Sequence, residues 1–304
     1  MIEACLDSLR RHAPGVRAII VDNASSDDTV ARVRGYSEVH SYTEVQCIAN
    51  SSNRGFAAAV NQGARAAGTS DAVLLLNPDV ELSTPLQPLI AACQLYGLAA
   101  GQLTDTAGRP QAGFTIRRLP TPSALVFELL GINRLWKSNP VNRRYRYLDR
   151  DLQQPGPVEQ PAGAFLMVRR DVWDTLGGMD ETFYPVWFED VDFSRRALDR
   201  GFRTEYTPSV TARHKGAHSV GRLPPGCRMT YWCDSLLKYA FKHFQANQFK
   251  GVCGALAISS IVRGTVGTFR ERGQDSLSVS MRIAMVAVRC LLSGQIQQPA
   301  GGGD

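Results

Sequence analysis

The chain has no apolar stretch long enough to cross a membrane as a helix. Its longest apolar runs, Gly251 to Val262 and Ile283 to Ala287, are shorter than the roughly 20 residues that a spanning helix needs. Its start carries no secretory signal pattern. These absences lead us to expect a cytoplasmic protein.

Closely spaced cysteines are lacking as well. The seven cysteines are scattered along 304 residues, and even Cys227 and Cys233 are too loosely spaced for a metal site. An odd number of cysteines in a long chain argues against a disulfide framework and for a reducing compartment. The hydrophobic content of 44% and charged content of 20% are typical of a folded globular protein.

Short apolar runs alternate with helical patterns in the first part of the chain. Strands are predicted at Ala18–Val21, Glu44–Ala49 and Val73–Leu76, and helices lie before and between them, beginning with Ile2–His12. This alternation favours an α/β fold with a mostly parallel central sheet flanked by helices, in which Val73–Leu76 is buried on both faces. No Gly-x-Gly-x-x-Gly follows the first strand, so a dinucleotide-binding domain is not supported.

Oxygen-bearing side chains follow the predicted strands. Asp22 ends the first strand, and Asn77 and Asp79 follow the third. Open α/β sheets bind ligands at this edge, and oxygen ligands there suit Mg²⁺ or Mn²⁺. Before the alanine-rich helix, Arg54 can reach a phosphate, and Gly55 allows close approach of the backbone. An Asx-Pro turn and an ordinary helix start remain alternative explanations.

A second acidic group occurs at Glu189, Asp190 and Asp192, beside Trp187 and other aromatic residues. A helix is predicted from Asp192 to Asp199, so Glu189 and Asp190 lie at its amino end. Aromatic neighbours would desolvate one carboxyl group and raise its pKa, as a general base near neutral pH requires. A helix-capping cluster is the alternative.

A basic, proline-interrupted region occupies the middle of the chain. Between Arg117 and Arg150, eight basic residues stand against two acidic ones, whereas the whole chain has a net charge of +6. Such a segment can meet acidic lipid headgroups, a diphosphate-bearing substrate or nucleic acid, or can simply be a solvated face. The prolines predict an irregular, substrate-facing insertion over 105–161.

His214 and His218 lie in a predicted basic loop, where either can bind a metal or a phosphate. A purely structural role is the other possibility.

Taken in order, these segments resemble the inverting family 2 glycosyltransferases, especially the bacterial rhamnosyltransferase branch. The motifs that carry the resemblance are Val21-Asp22-Asn23-Ala24-Ser25-Ser26-Asp27, Asn53-Arg54-Gly55-Phe56 with Asn61, Leu76-Asn77-Pro78-Asp79, Gly163-Ala164-Phe165 with Arg169-Arg170, Gly177-Gly178-Met179-Asp180-Glu181 with Phe183, Phe188-Glu189-Asp190-Val191-Asp192 with Arg196 and Gly201, and His214 to Ser219. Each motif alone is weak, whereas the ordered set is specific.

The resemblance implies a GT-A fold and a nucleotide-sugar donor, with Asn77 and Asp79 in place of the family's Asp-x-Asp metal motif. It implies donor binding by Asp22, Asn23, Asn53, Arg54, Gly55, Asn77 and Asp79. It implies Asp190 as the catalytic base with Glu189 beside it, acceptor contacts by Trp187, Gly163 and Asp192, and Mg²⁺ or Mn²⁺ bound by Asp79 and His218, with His214 as the less favoured alternative. We expect transfer of rhamnose from dTDP-rhamnose, or of another sugar from a dTDP- or UDP-linked donor, to a glycan or polyprenyl-diphosphate-linked acceptor in cell-surface polysaccharide synthesis. Nucleic acid is not an expected partner.

One departure from the family pattern concerns the amino terminus. Family members open with a strand and a donor-binding loop before the helix that begins here at Ile2. Either the start of this chain is misassigned or part of the donor site is lost, and a neighbouring strand edge would then be exposed. A non-catalytic nucleotide-sugar-binding or scaffold protein is the alternative function, whereas a sugar nucleotidyltransferase is disfavoured because the chain has no glycine-rich, lysine-bearing amino-terminal loop.

The predicted domains are a GT-A domain over 1–222 and a helical extension over 223–304. In the extension, apolar positions alternate with Arg263, Arg270, Arg272, Arg282 and Arg289. This pattern fits basic amphipathic helices on a membrane surface, here the inner face of the plasma membrane, or helices packed on the catalytic domain.

Overall fold

The computed structural model describes residues 1–40, 45–216, 223–271 and 274–296. The chain divides into two compact units, Met1–Leu119 with Arg146–His218 and Pro120–Tyr145 with Ser219–Asp304. Residues 120–145 thus belong to the unit of the C-terminal helices, whereas the sequence predicted them in the first domain.

Strands and helices alternate through the first unit, as the sequence pattern predicts. The strands are β1 (Ala18–Asp22), β2 (Val45–Ala49), β3 (Ala72–Leu76), β4 (Val80–Leu82), β5 (Gly97–Thr104), β6 (Ile116–Arg117), β7 (Gly156–Val158), β8 (Gln160–Pro161), β9 (Phe165–Arg169) and β10 (Arg203–His214). The helices are α1 (Ile2–His12), α2 (Thr29–His40), α3 (Phe56–Ala66), α4 (Gln87–Tyr96), α5 (Pro122–Leu129), α6 (Ile132–Leu135), α7 (Pro140–Tyr145), α8 (Arg170–Leu176), α9 (Glu189–Asp199), α10 (Pro225–His243), α11 (Ala246–Glu271) and α12 (Gln274–Ser293).

The central sheet of the first unit has six strands and is mixed. Its strand order is β3-β9-β5-β10-β4, with β7 also paired to β10. The β5–β10 pair is parallel, whereas β9 runs antiparallel to both of its neighbours. The expectation of a mostly parallel sheet is therefore wrong in detail, because β9 enters the sheet between β3 and β5 from a distant part of the sequence.

The strands β1 and β2 form a separate parallel two-stranded sheet. Among the described strands, β3 pairs with β9 alone, so it is an edge strand of the larger sheet. Of the four apolar residues Val73–Leu76, only Leu75 is fully buried. Both faces of β3 are nevertheless covered, as predicted: Leu74 and Leu76 pack against the core on one side of the sheet, and Val73 and Leu75 pack in the core on the other side.

Alternation along β9 shows how the sheet is covered on both faces. Phe165 and Met167 join a core with residues of α1, α2 and α4, whereas Leu166 and Val168 join a second core with residues of α3, α8 and α9. Period-two alternation sends successive side chains to opposite faces. The sheet of this unit is therefore a layer between two groups of helices.

The proline-rich region is more regular than the sequence predicts. Pro122 opens α5 and Pro140 opens α7, and the Thr121 hydroxyl accepts the Ala124 N–H at 3.2 Å to cap α5. Proline is favoured in the first turn of a helix, where its missing N–H is not needed. These prolines begin helices, so the prediction of an irregular segment over the whole of 105–161 is wrong.

Candidate active site

Asp79 follows the carboxyl end of β3 and lies beside His214, the last residue of β10. The distance from Asp79 Oδ2 to His214 Nε2 is 3.6 Å, and both side chains are buried. The Lys215 N–H donates to the Asp79 carbonyl oxygen at 3.2 Å, which joins the two segments. Burial lowers the pKa of His214, although the Asp79 carboxylate acts in the opposite direction. The imidazole is therefore neutral at physiological pH, as a metal ligand must be.

The side chain of Gln111 determines which ring nitrogen of His214 carries the proton. Gln111 Nε2 donates to the His214 carbonyl oxygen at 3.0 Å, and its Oε1 lies 3.0 Å from His214 Nδ1. Because the amide nitrogen is engaged by the carbonyl, Nδ1 is the donor to Oε1. Phe114 stacks on the same ring with 5.1 Å between the centroids. The unprotonated Nε2 is thus left facing Asp79, an arrangement typical of metal-binding histidines.

The Asp79–His214 pair fits a divalent cation. Metal bonds of about 2 Å from a carboxylate oxygen and an imidazole nitrogen are compatible with the 3.6 Å between the two atoms. Within the described ranges, no group of three or more His, Cys, Asp and Glu side chains could hold a metal. Phosphate oxygens and water would therefore complete the coordination of an ion held here.

The loop after β1 is joined to the loop before α3. Asn23 Nδ2 donates to Asn53 Oδ1 at 3.1 Å and to the Gly55 carbonyl oxygen at 3.0 Å, and Asn23 Oδ1 accepts the Arg54 N–H at 3.1 Å. The buried Asp22 carboxylate accepts a backbone N–H from three residues later at 3.0 Å. The Arg54 side chain is exposed. These bonds bring the five predicted donor-binding residues of this region together beyond the carboxyl ends of β1 and β2.

Gly55 lets the same loop approach the segment that precedes α9. Its φ is +84°, and a Cβ there would lie 2.9 Å from Tyr184 Cδ2 and 3.2 Å from the Pro185 carbonyl oxygen. The Phe56 N–H donates to that carbonyl at 2.8 Å. Only glycine combines this backbone conformation with the close approach. The predicted donor loop therefore contacts the chain that leads into the acidic cluster.

Glu189 and Asp190 open α9 in different environments. Glu189 is buried, and its Oε2 has no hydrogen-bond partner among the described residues. Desolvation, reinforced by the charge of Asp190, raises the pKa of Glu189 well above its usual range. Asp190 is partly exposed, with Oδ2 accepting the Gly163 N–H at 3.0 Å and Oδ1 accepting the Val191 N–H at 2.8 Å.

The balance of these effects makes Asp190 the carboxyl group better able to ionise. Desolvation raises the pKa of Asp190, whereas the Gly163 N–H and the charge of Arg117 lower it. No cation offsets the burial of Glu189 in this way, so its carboxyl group is harder to ionise than that of Asp190. A partly exposed carboxylate with a raised pKa is suited to accept a proton near neutral pH.

A two-stranded ribbon of β6 and β8 packs against Asp190. Arg117 on β6 is opposite Gln160 on β8, and Gln160 Nε2 lies 3.5 Å from Asp190 Oδ2. Just after β8, a Cβ on Gly163 would lie 3.1 Å from Asp190 Cβ. The sequence predicts Gly163 as an acceptor contact. In the structure its backbone N–H holds the Asp190 carboxylate in place.

Trp187 and Phe188 immediately precede the two carboxyl groups and have unusual backbone angles. Their φ values are +80° and +68°, in the left-handed region that residues other than glycine rarely adopt. Such conformations cost roughly 1–3 kcal/mol each and concentrate at ligand sites. The Trp187 ring is half-buried. An indole two residues before Glu189 in the sequence is suited to stack on a sugar ring.

Comparison with known proteins identifies the family of this chain. The model of "Glycosyl transferase family 2" matches residues 1–177, more than half of the chain. The chain belongs to glycosyl transferase family 2. This family 2 protein is a glycosyltransferase, as the sequence predicts.

Two relatives of this family 2 glycosyltransferase are similar over most or much of its length. An N-acetylglucosaminyl-diphospho-decaprenol L-rhamnosyltransferase of Mycobacterium tuberculosis is 27% identical over 276 residues, which cover 84% of this chain and 87% of the relative. A low-salt glycan biosynthesis hexosyltransferase of Haloferax volcanii is 23% identical over 202 residues, which cover 64% of this chain and 58% of that protein.

Solved structures confirm the predicted GT-A fold. GalNAc-T7 with UDP, GalNAc and Mn²⁺ superimposes with a TM-score of 0.56 at 12% identity, over 95% of this chain and 53% of that one. A mannosyltransferase of Pyrobaculum calidifontis with GDP-Man and Mn²⁺ gives a TM-score of 0.51 at 14% identity, over 96% of this chain and 83% of that one. In the described ranges of this glycosyltransferase, we find no helix both long and apolar enough to span a membrane.

One predicted site residue of the glycosyltransferase, Asp192, is placed away from a ligand-accessible position. Asp192 is fully buried, and its Oδ2 accepts a bond from Arg196 Nε at 2.7 Å. Arg196 in turn donates to the carbonyls of Leu176 and Gly178 at 2.8 Å. We therefore assign Asp192 a structural role in joining α8 to α9, in place of the predicted acceptor contact. Asn77 is half-buried, and its backbone N–H donates to the Ala164 carbonyl at 3.1 Å.

The two predicted histidines have different outcomes. His218 lies outside the described residues. His214, predicted in a loop, is the last residue of a strand that runs from Arg203 through Pro208, with a register shift between Thr207 and Thr211 that accommodates the proline.

Sequence reasoning missed Gln111, Phe114 and Gln160. Gln111 and Phe114 lie in an irregular segment, and Gln160 lies between two prolines, so none belongs to a periodic pattern or an acidic motif. Arg117 appeared only as a member of the basic segment. Arg117 and Gln160 reach the site because β6 and β8 pair across 42 intervening sequence positions, which no local signal predicts.

Proposed function

We propose that this glycosyltransferase transfers a sugar from a nucleotide-sugar donor to a polyprenyl-diphosphate-linked or glycan acceptor, with inversion at the anomeric carbon. The observation that carries this proposal is the setting of Asp190: a partly exposed carboxyl group, with a raised pKa, held by the Gly163 N–H beside the buried Glu189, whose pKa is raised as well. The donor we propose is dTDP-rhamnose, because the Mycobacterium relative bears the name of a rhamnosyltransferase. The same name supports a lipid-linked acceptor in cell-surface polysaccharide synthesis.

The donor would bind at the carboxyl edge of β1, β2 and β3. Asp22 and Asn23 would contact the nucleoside, and Asn53 and Gly55 shape the adjoining loop. The exposed guanidinium of Arg54 is available for a diphosphate oxygen. Asn77, just past the carboxyl end of β3, would add an amide oxygen and nitrogen.

Asp79 and His214 would hold Mg²⁺ or Mn²⁺ against the diphosphate. When bound, the cation would supply charge neutralisation for the leaving nucleoside diphosphate. Gln111 keeps the Nε2 atom of His214 unprotonated for this purpose. We assign the second protein ligand to His214 because of its position beside Asp79, although the family resemblance favoured His218.

Asp190 would act as the base in a single displacement. Its carboxylate removes the proton from the acceptor hydroxyl as that oxygen forms a bond to the anomeric carbon. The bond from this carbon to the diphosphate oxygen breaks, and the nucleoside diphosphate leaves with the electron pair. One displacement inverts the configuration, and Asp190 ends protonated. Trp187 would stack on a sugar ring and hold the acceptor in line.

Calorimetry with the purified chain tests the donor part of the proposal. We expect dTDP to bind in the presence of Mn²⁺, more tightly than UDP, and to lose most of its affinity when EDTA removes the cation. Asp79→Asn should abolish the dependence on Mn²⁺, whereas Asp71→Asn, an exposed aspartate at the other end of β3, should leave it unchanged. Tighter binding of UDP would overturn the assigned donor, and binding that is independent of Mn²⁺ would overturn the metal site.

A further inference from the structure

The second unit ends in two long helices, α11 and α12, and one face of each helix is buried. Val252, Cys253 and Leu256 of α11 and Ile283 and Ala287 of α12 are buried. Packing against neighbouring helices therefore accounts for one face of each helix. It does not account for the apolar residues on the other face.

The outer face of α12 carries a row of exposed apolar side chains. Met281, Met285, Val288 and Leu292 are between 39% and 77% exposed, at intervals of four, three and four residues. This spacing places them on one side of the helix. The row is therefore a continuous apolar stripe and not a scatter of single exposed residues.

A second stripe lies on α11 and faces the same space. Ile258, Ile261 and Val262 are between 55% and 59% exposed. An open groove of about 460 Å³ is lined by Ile261 together with Met281, Met285 and Val288. The stripes of α11 and α12 thus form one apolar surface, of a kind that marks interaction sites on folded proteins.

Positive charge borders this apolar surface. Arg282 and Arg289 are exposed and each follows a member of the α12 stripe by one residue, so both lie along the same side of it. From residue 245 to residue 296 the chain has six basic residues against two acidic ones. An apolar stripe with a basic border is the pattern of helices that lie in the interface of a membrane with anionic lipids.

We propose that α11 and α12 bind the surface of a membrane that contains anionic phospholipids. The stripe residues enter the acyl region, and Arg282 and Arg289 contact the phosphate groups. This surface goes beyond the proposed function and does not depend on it. It concentrates the protein at the kind of membrane that carries a lipid-linked acceptor.

Sedimentation with vesicles tests the proposal on the full chain. We expect binding to vesicles of equimolar phosphatidylcholine and phosphatidylglycerol, weaker binding to phosphatidylcholine alone, and a decrease with added salt. Met285→Glu should lower the partition coefficient by about tenfold or more, because a charge replaces buried hydrocarbon. Leu95→Glu, a matched change at an exposed leucine of α4, should leave it unchanged. Thermal unfolding followed by circular dichroism checks that both variants are folded.

The arginines are tested separately. The double variant Arg282→Gln with Arg289→Gln should lose the preference for anionic vesicles while keeping the weaker binding to phosphatidylcholine. Absence of wild-type binding to the mixed vesicles would overturn the proposal, as would an equal loss in the Leu95→Glu variant. A dimer in light scattering that Met285→Glu dissociates, without vesicle binding, would show that a second copy covers this surface and would also overturn it.

Discussion

At the scale of single residues, the placement of Asp190 depends on a missing side chain. Gly163 presents its N–H to Asp190 Oδ2 at 3.0 Å, and a Cβ would lie 3.1 Å from Asp190 Cβ. Contacts this short force a neighbouring group to move. The backbone of Gly163 therefore determines where the Asp190 carboxylate lies.

Gly163→Ala should displace the Asp190 carboxylate and reduce transfer. A displacement of a few tenths of an ångström should lower the rate by up to roughly 100-fold, while donor affinity should stay within error because the donor loops do not include Gly163. Transfer rates and calorimetric donor affinities measure the two effects. Gly35→Ala is the matched control, since a Cβ there meets nothing within 4 Å among the described residues. Equal rates for Gly163→Ala and Gly35→Ala would show that this close packing is unimportant.

Much of the candidate site could be predicted at the residue scale because its residues follow local signals. Asp22 and Asp79 follow apolar runs, and Glu189 and Asp190 begin a helix among aromatic residues. Gln111, Phe114 and Gln160 gave no such signal, since their roles come from contacts made across the sequence. The structural role of Asp192 was also hidden, because its pairing with Arg196 depends on the burial of both side chains.

At the scale of elements, the end of β10 and the segment before β6 together position the ring of His214. The strand brings His214 to Asp79, and Gln111 and Phe114 hold its ring from the other side. Such supporting contacts fix the tautomer of a metal-binding histidine. The metal site would therefore depend on a residue that does not touch the metal.

Gln111→Leu should weaken cation binding without removing either ligand. Loss of the acceptor for the Nδ1 proton should raise the Mn²⁺ concentration needed for half-maximal dTDP binding by roughly 10–100-fold. Titration of Mn²⁺ at fixed dTDP gives this value. The exposed Gln87 of α4 supplies the control, Gln87→Leu, for which no shift is expected. An unchanged Mn²⁺ requirement in Gln111→Leu would count against His214 as the ligand.

Elements defined by periodicity were predicted well, and elements defined by distant pairing were not. The helix Ile2–His12 has the predicted bounds, because the side chains of Ile2, Cys5, Leu6 and Leu9 share its buried face. The edge position of β3 and the insertion of β9 beside it depend on strand order, which is not encoded in either strand alone. The helices that begin at Pro122 and Pro140 were not predicted for a different reason. Proline interrupts a helix interior but is favoured in the first turn, so a proline alone does not indicate an irregular segment.

At the scale of the whole molecule, burial of Glu189 lowers stability as pH rises. Its pKa is raised in the folded state, so the folded protein keeps this proton at pH values where the unfolded chain has lost it. The free energy of unfolding therefore falls as pH rises from the ordinary glutamate range toward the raised pKa. A buried carboxyl group with one oxygen, Oε2, unpaired among the described residues is thus a stability cost that a functional site can retain.

Glu189→Gln removes this titration. The free energy of unfolding of the variant relative to the wild type should increase between acidic and neutral pH, by on the order of 1 kcal/mol. Denaturant titrations at several pH values measure the difference. A difference that is constant across this range would mean that Glu189 ionises normally in the folded protein.

The role of Asp190 as the base in sugar transfer is tested by comparing one variant with the wild type in two measurements. Transfer from dTDP-rhamnose to a polyprenyl-diphosphate-linked N-acetylglucosamine acceptor and calorimetric binding of dTDP would be measured side by side for the wild type and Asp190→Asn. Loss of a general base predicts a rate lower by roughly 10²–10⁴-fold with nearly unchanged donor affinity. Retention of transfer, or an equal loss of donor binding, would contradict the assignment.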